Sequence, residues 1–174
     1  GYKSVRISWN RVSKANGYQI YRASSKTGSY KRIKNTTTAS FKNTGLTTGQ
    51  KYYYKVRAYT KSGNNTLYSG FSNTASAKPA LAAPQRVKAK VGKKRAAIRW
   101  KKVSGASGYK VYRSAKKNGK YKAVKTIKKQ RTVAFTNKKL KKGKTYYYKV
   151  RAYRTVKGKK VYSPYSKAVK AKIR

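Results

Sequence analysis

The 174-residue sequence contains no aspartate, no glutamate and no histidine, and it also lacks cysteine and methionine. Each absence removes a class of chemistry. General acid–base catalysis draws mainly on carboxylates, imidazole and thiols, so no enzymatic activity is expected. A serine or tyrosine beside a lysine is all that remains, and in a chain this rich in lysine such adjacency carries no information. Hard cations need carboxylate oxygens and zinc needs imidazole or thiolate, so neither a metal nor a cofactor is expected. Disulfides are excluded. No apolar run approaches the ~20 residues of a membrane-spanning helix. Without methionine, Gly1 is no translation start, and the sequence reads as a fragment or processed product of a longer multidomain chain.

What is present is charge of one sign. Lysine and arginine number 49, giving a formal net charge of +49. Such a surface repels itself and attracts polyanions from long range, with strong salt dependence. The same composition suits a disordered polycation. Against disorder, aromatic and β-branched residues recur periodically and glycines punctuate them. The charge is also uneven, with 15 cations through Ala83 and 34 from Pro84 onward.

The chain is one module written twice. Residues 52–59 and 146–153 both read YYYKVRAY. Trp9 matches Trp100, Gly17-Tyr18 matches Gly108-Tyr109, and Leu46 matches Leu140. The offset is 91 residues up to Tyr121 and 94 from Phe135, which places a three-residue insertion, read as a longer turn, between Lys125 and Val133. Within each copy the pattern has period two: Val5, Ile7 and Trp9 alternate with Arg6 and Ser8. Tyr52, Tyr54, Val56 and Ala58 likewise alternate with Tyr53, Lys55, Arg57 and Tyr59. Alternation of this kind predicts half-buried antiparallel strands, and turn signals at short intervals predict an all-β sandwich.

The order Trp, then Gly-Tyr-x-[Ile/Val]-Tyr-Arg, then Leu-x-x-Gly-x-x-Tyr-x-Tyr-x-Val-x-Ala resembles the fibronectin type III domain, in the form common in lysine-rich repeats of Gram-positive surface proteins. The resemblance implies two tandem antiparallel β-sandwiches joined by a short proline-containing linker. The expected boundaries are 1–78 and 85–174, with 79–84 as linker. It implies that Trp9 and Trp100 anchor the two cores with Leu46 and Leu140. It further implies that Tyr52 and Tyr146 are corner tyrosines whose hydroxyls bond the backbone near the preceding leucine. The first copy begins where the turn at Gly92 falls in the second, so its first strand is expected to be missing.

Two candidate sites follow. The first is a set of lysine runs at expected turns of the second copy: Lys138, Lys139, Lys141, Lys142 and Lys144 around Leu140; Lys157, Lys159 and Lys160; and Lys116, Lys117 and Lys120. Lysine is a hydrated point charge on a flexible stem, suited to following phosphate or sulfate without strict geometry. The alternative is a solvated face that serves only solubility. The second is an aromatic–cationic sheet face of Tyr147, Lys149, Arg151 and Tyr153, with Tyr112 on the neighbouring strand. It reads either as a stacking platform for sugars or bases or as cross-strand pairing that stabilises the sheet.

The sequence thus predicts a monomeric, non-enzymatic, secreted or bacterial cell-surface module. Its expected partners are polyanions: cell-wall teichoic acid, nucleic acid bound without sequence preference, or sulfated glycosaminoglycan. A passive spacer in a surface-protein array and an engineered acid-free supercharged scaffold remain as alternatives.

Overall fold

The computed structural model describes all 174 residues, and every regular element is a strand. No helix is long and apolar enough to cross a membrane. The chain divides into two compact units, Lys3–Pro79 and Ala80–Arg174.

The first unit contains β1 (Val5–Ser8), β2 (Gly17–Ala23), β3 (Lys31–Thr36), β4 (Ser40–Asn43), β5 (Tyr52–Ser62), β6 (Asn65–Tyr68) and β7 (Ala75–Ala77). β1 pairs with β4 in one sheet; the other runs β3-β2-β5-β6, with β7 also on β5. The second unit contains β8 (Lys88–Gly92), β9 (Arg95–Arg99), β10 (Gly108–Ser114), β11 (Lys122–Ile127), β12 (Ala134–Asn137), β13 (Thr145–Val156), β14 (Lys159–Tyr162) and β15 (Val169–Lys172). Its sheets run β12-β9-β8 and β11-β10-β13-β14, with β15 on β13. All pairings are antiparallel.

The period-two reading accounts for which face is buried. In the second unit Tyr109, Val111, Tyr148, Val150 and Ala152 are fully buried, while their alternates Lys110, Tyr112, Tyr147, Lys149 and Arg151 are half-exposed. The three inserted residues fall wholly in the β11–β12 connection, Lys128–Val133, against three residues between β3 and β4.

The units differ in completeness. β8 has no counterpart in the first unit, so the outer edge of β1 is unpaired and carries the exposed Lys3 and Arg6. Val87, Ala89 and Val91 pack against the second core together with the buried Leu81, and Pro84 is fully buried, so part of the stretch read as linker is built into that domain. The consequence shows in matched residues. Trp100 and Val103 are each 5% exposed, whereas Trp9 is only half-buried and Val12 is 52% exposed. Trp9 is therefore a partial core anchor, because no strand covers it.

The corner tyrosines have the expected geometry in both units. The Thr47 amide donates to the Tyr52 hydroxyl at 3.1 Å and the Lys141 amide to that of Tyr146 at 3.4 Å. Leu46 and Leu140 are both 3% exposed. Tyr52 is buried, and Tyr146 packs half-buried against the second core.

Candidate functional site: cationic poles and an aromatic–cationic sheet

All eleven lysines singled out above are exposed. They do not form one patch. β13 runs the length of the sandwich, and its pairing with β10 sets Ser114 against Tyr147 at one end and Gly108 against Tyr153 at the other. Lys116, Lys117 and Lys120 follow Ser114, and the segment from Lys138 to Lys144 leads into Thr145, so both sit at the first end. Lys157, Lys159 and Lys160 follow the far end of β13 and sit at the second.

Backbone hydrogen bonds bring further cations to the first pole. The Leu140 amide donates to the Lys94 carbonyl at 2.9 Å, and the Lys94 amide donates to Arg174 at 3.2 Å. Gly143 and Ile173 are tied through Gly143 N–H to the Ile173 carbonyl and Ile173 N–H to the Lys144 carbonyl, both 2.9 Å. Two sequence-distant basic turns, Lys93-Lys94 and 138–144, thus become one cluster around the buried Leu140. Sequence spacing could not join them, because the link is a tertiary hydrogen bond. At the second pole the β11–β12 connection places Lys128 and Lys129 at the same end of the sandwich as the 157–160 hairpin, where the Gln130 side-chain Nε2 donates to the Val103 carbonyl at 3.0 Å.

The sheet face is filled by its own side chains. The Arg151 guanidinium lies 4.6 Å from the Tyr165 ring centroid and 5.0 Å from that of Tyr162, while its Nε donates to the Ser163 carbonyl at 2.7 Å. Tyr165 meets Tyr112 edge-on at 5.1 Å, and the Lys149 ammonium sits 4.3 Å from the Tyr121 centroid. Burial, and secondarily the neighbouring Tyr165, raises the Tyr112 phenol above the usual tyrosine range. Burial does the same to Tyr148.

Tyr153 corrects the expectation of an outward platform: it is 3% exposed. Its register partner is Gly108, and with no side chain there the ring lies flat across the strand, its hydroxyl donating to the Ile127 carbonyl at 3.2 Å. Such aromatic cover of a strand glycine stabilises the sheet. Tyr165 is the member that sequence reading missed. It stands between β14 and β15 in the segment Ser163-Pro-Tyr-Ser166, whose serine hydroxyls accept from the Ala152 and Val150 amides. Ser69-Gly-Phe-Ser72 repeats the device, with Phe71 at 5.3 Å from Arg57. The serine pair at matched spacing is the signal that could have revealed it.

The missing carboxylates leave a mark inside the first unit. Asn43 is 8% exposed, and its Oδ1 accepts from the Arg22 guanidinium at 3.0 Å and from the Tyr54 hydroxyl at 3.1 Å. Both donors suit an anion. Asn43→Asp should therefore stabilise the fold by about 1–2 kcal/mol at neutral pH through charge-assisted bonds. The guanidinium holds the new carboxyl's pKa below its unfolded value, so the gain is present above about pH 4 and lost as pH falls further. Thermal melts of parent and variant at pH 7 and pH 3 check this, and a destabilised variant at pH 7 would contradict it.

A family model described as the fibronectin type III domain matches residues 82–169. The chain belongs to the fibronectin type III family. Its fibronectin type III sequence is 41% identical over 81 residues to an amylopullulanase of Thermoanaerobacterium thermosulfurigenes, covering 46% of this chain and 4% of that protein. It is 41% identical over 66 residues to exoglucanase B of Cellulomonas fimi, covering 35% of this chain and 6% of that one. The chain thus spans only a twentieth or so of the bacterial multidomain glycosidases it matches. A two-domain fibronectin type III segment of chicken tenascin superposes with a TM-score of 0.57 at 18% identity, covering 98% of this chain and 93% of that one. That likeness extends the tandem fibronectin type III fold over both units.

Proposed function

We propose that this tandem module is a non-enzymatic, extracellular anchor that holds the protein containing it to linear polyanions, chiefly through turn lysines of the second domain. The bacterial glycosidase relatives support an extracellular placement, and cell-wall phosphate polymers are anions of the fitting kind. Resemblance to the lysine-rich repeats of Gram-positive surface proteins belongs to the same reading.

The observation that carries it is conformational. Lys139 and Lys157 adopt left-handed backbone angles, φ 56° and 47°. At the matched turns of the first domain the same conformation is held by Gly45 and Gly63, φ 71° and 57°. An L-residue there costs about 1 kcal/mol relative to glycine. Lys14, Arg86 and Lys94 share this conformation, so all five left-handed non-glycine positions carry a cation, and at Lys14 it is the second domain that has the glycine, Gly105. Solubility alone gives no reason to put cations where the backbone is strained, when many free surface positions exist. Charge at the tips of these turns is therefore worth more than local stability.

The test is a trade-off. Lys139→Gly and Lys157→Gly should each raise stability by about 0.5–1 kcal/mol while weakening binding to heparin and to purified teichoic acid. Lys141→Gln removes the same charge at an ordinary backbone position and should weaken binding with a smaller stability gain. If the glycine variants bind as well as the parent across a salt series, the lysines serve only as a solvated face, and the spacer reading replaces this one.

A further inference from the structure

We infer that the second domain is a cross-linker: its two cationic poles engage two separate stretches of a flexible polyanion, either on different chains or on one long chain. This rests on the polyanion-binding reading proposed above and adds valency to it.

The geometry supplies the argument. The poles are separated by the length of β13, whose twelve residues span roughly 35–40 Å at ~3.3 Å per residue. Electrostatic influence decays over about 8 Å at physiological ionic strength. The clusters are therefore independent in solution, and a bound anion at one leaves the other's potential intact. Each is organised by its own contacts: the first by the Leu140–Lys94 hydrogen bond, the second by the left-handed Lys157-Gly158 turn and the Gln130–Val103 bond. Between them the centre of the sheet face offers no track, because Lys149 and Arg151 are committed to tyrosine rings and Tyr153 is buried; the exposed cations Lys122 and Lys125 lie to the side, on the edge strand β11.

The shape of the first pole points to a flexible chain. Its cations come from a hairpin of one sheet, from the 138–144 segment crossing between sheets, and from the 116–120 turn of the other sheet. They surround the end of a sandwich. A flexible phosphate polymer can wrap such an end, whereas a rigid duplex would touch it along one line.

The intact chain is mixed with donor-labelled and acceptor-labelled inorganic polyphosphate too short to reach from pole to pole, at sub-saturating protein and about 150 mM salt. Energy transfer between the labelled polymers reports bridging, and fluorescence anisotropy reports binding. Two variants are compared: a first-pole variant, Lys138→Gln with Lys141→Gln and Lys142→Gln, and a second-pole variant, Lys159→Gln with Lys160→Gln and Lys129→Gln. Each should keep its circular dichroism and melt no lower than the parent. The parent should bridge. Each variant alone should lose most of the transfer signal yet retain binding. Each should also lose the avidity, of order a hundredfold, that polyphosphate long enough to reach both poles gains in the parent.

Transfer that survives in both variants would place bridging elsewhere, for instance in the first domain, and overturn the inference. So would one variant abolishing all binding while the other changes nothing, which would show a single site and leave polyanion binding standing. Bridging of short duplex DNA with none of polyphosphate would overturn the flexible-chain assignment. No binding of any polyanion by the parent would remove the function proposed above as well.

Discussion

Raising the salt from about 50 to 200 mM should weaken the affinity of the intact chain for a linear polyanion by roughly a thousandfold, and over the same range its melting temperature should rise. One variable moves binding and stability in opposite directions because both responses have one cause. The chain carries +49 and no side-chain carboxylate. Folding gathers those cations into small volumes, most densely where the Lys93-Lys94 turn and the 138–144 segment are bonded together. Mobile ions screen that repulsion and favour the folded state. A polyanion entering the cluster releases condensed counterions, and that gain shrinks as bulk salt increases. Six or more phosphate contacts, a number the first pole alone can supply, are enough for the quoted slope. Binding by fluorescence anisotropy and melting by calorimetry in the same buffers check it. A loss of affinity under about tenfold would show that the cations are not the binding surface, and a melting temperature indifferent to salt that they are not a source of strain.

Gly108→Ala should destabilise the second domain by about 3 kcal/mol or more, which for a domain of this size lowers its melting temperature by roughly 15 °C. A methyl group there would run into the Ile127 backbone carbonyl as well as the Tyr153 phenol, so relief requires β10 and β11 to separate. Gly17, the matched residue, faces only the Tyr59 ring, at 2.6–2.9 Å. That side chain can swing outward, so Gly17→Ala should cost well under half as much. Calorimetry on the two variants compares them directly. An equal or larger shift for Gly17→Ala would mean that the carbonyl contact is not what excludes a side chain at Gly108.

These two glycines mark the limit of what the sequence could tell. Alternation in YYYKVRAY assigned the inward and outward faces, because a strand's side chains must alternate whatever the strand pairs with. The duplicated module and a longer turn between Lys125 and Val133 were legible from the repeat itself, while the corner tyrosines followed from the resemblance to the fibronectin type III domain. Tyr153 was not legible. Its position in the alternation is outward, and only the register that sets it opposite Gly108 turns it into cover. The half-exposure of Trp9 reflects a partner strand that the first unit lacks. Likewise, eleven candidate lysines could be chosen by their runs, but their division between opposite poles follows from which turns the strand order brings to each end. Tyr165 was hidden because its role depends on a strand break held by two serine hydroxyls.

The bond from the Leu140 amide to the Lys94 carbonyl has one more consequence, a thermodynamic one. It fixes the backbone beneath the densest cations before any ligand arrives, and Leu140 is already out of water. Binding at this pole then orders little main chain and removes almost no apolar surface from solvent. Its heat-capacity change should accordingly be near zero, with the driving force lying in the entropy of the small ions set free. A surface of this kind grips by what it displaces into solution, and its strength is set by the surrounding electrolyte as much as by the protein.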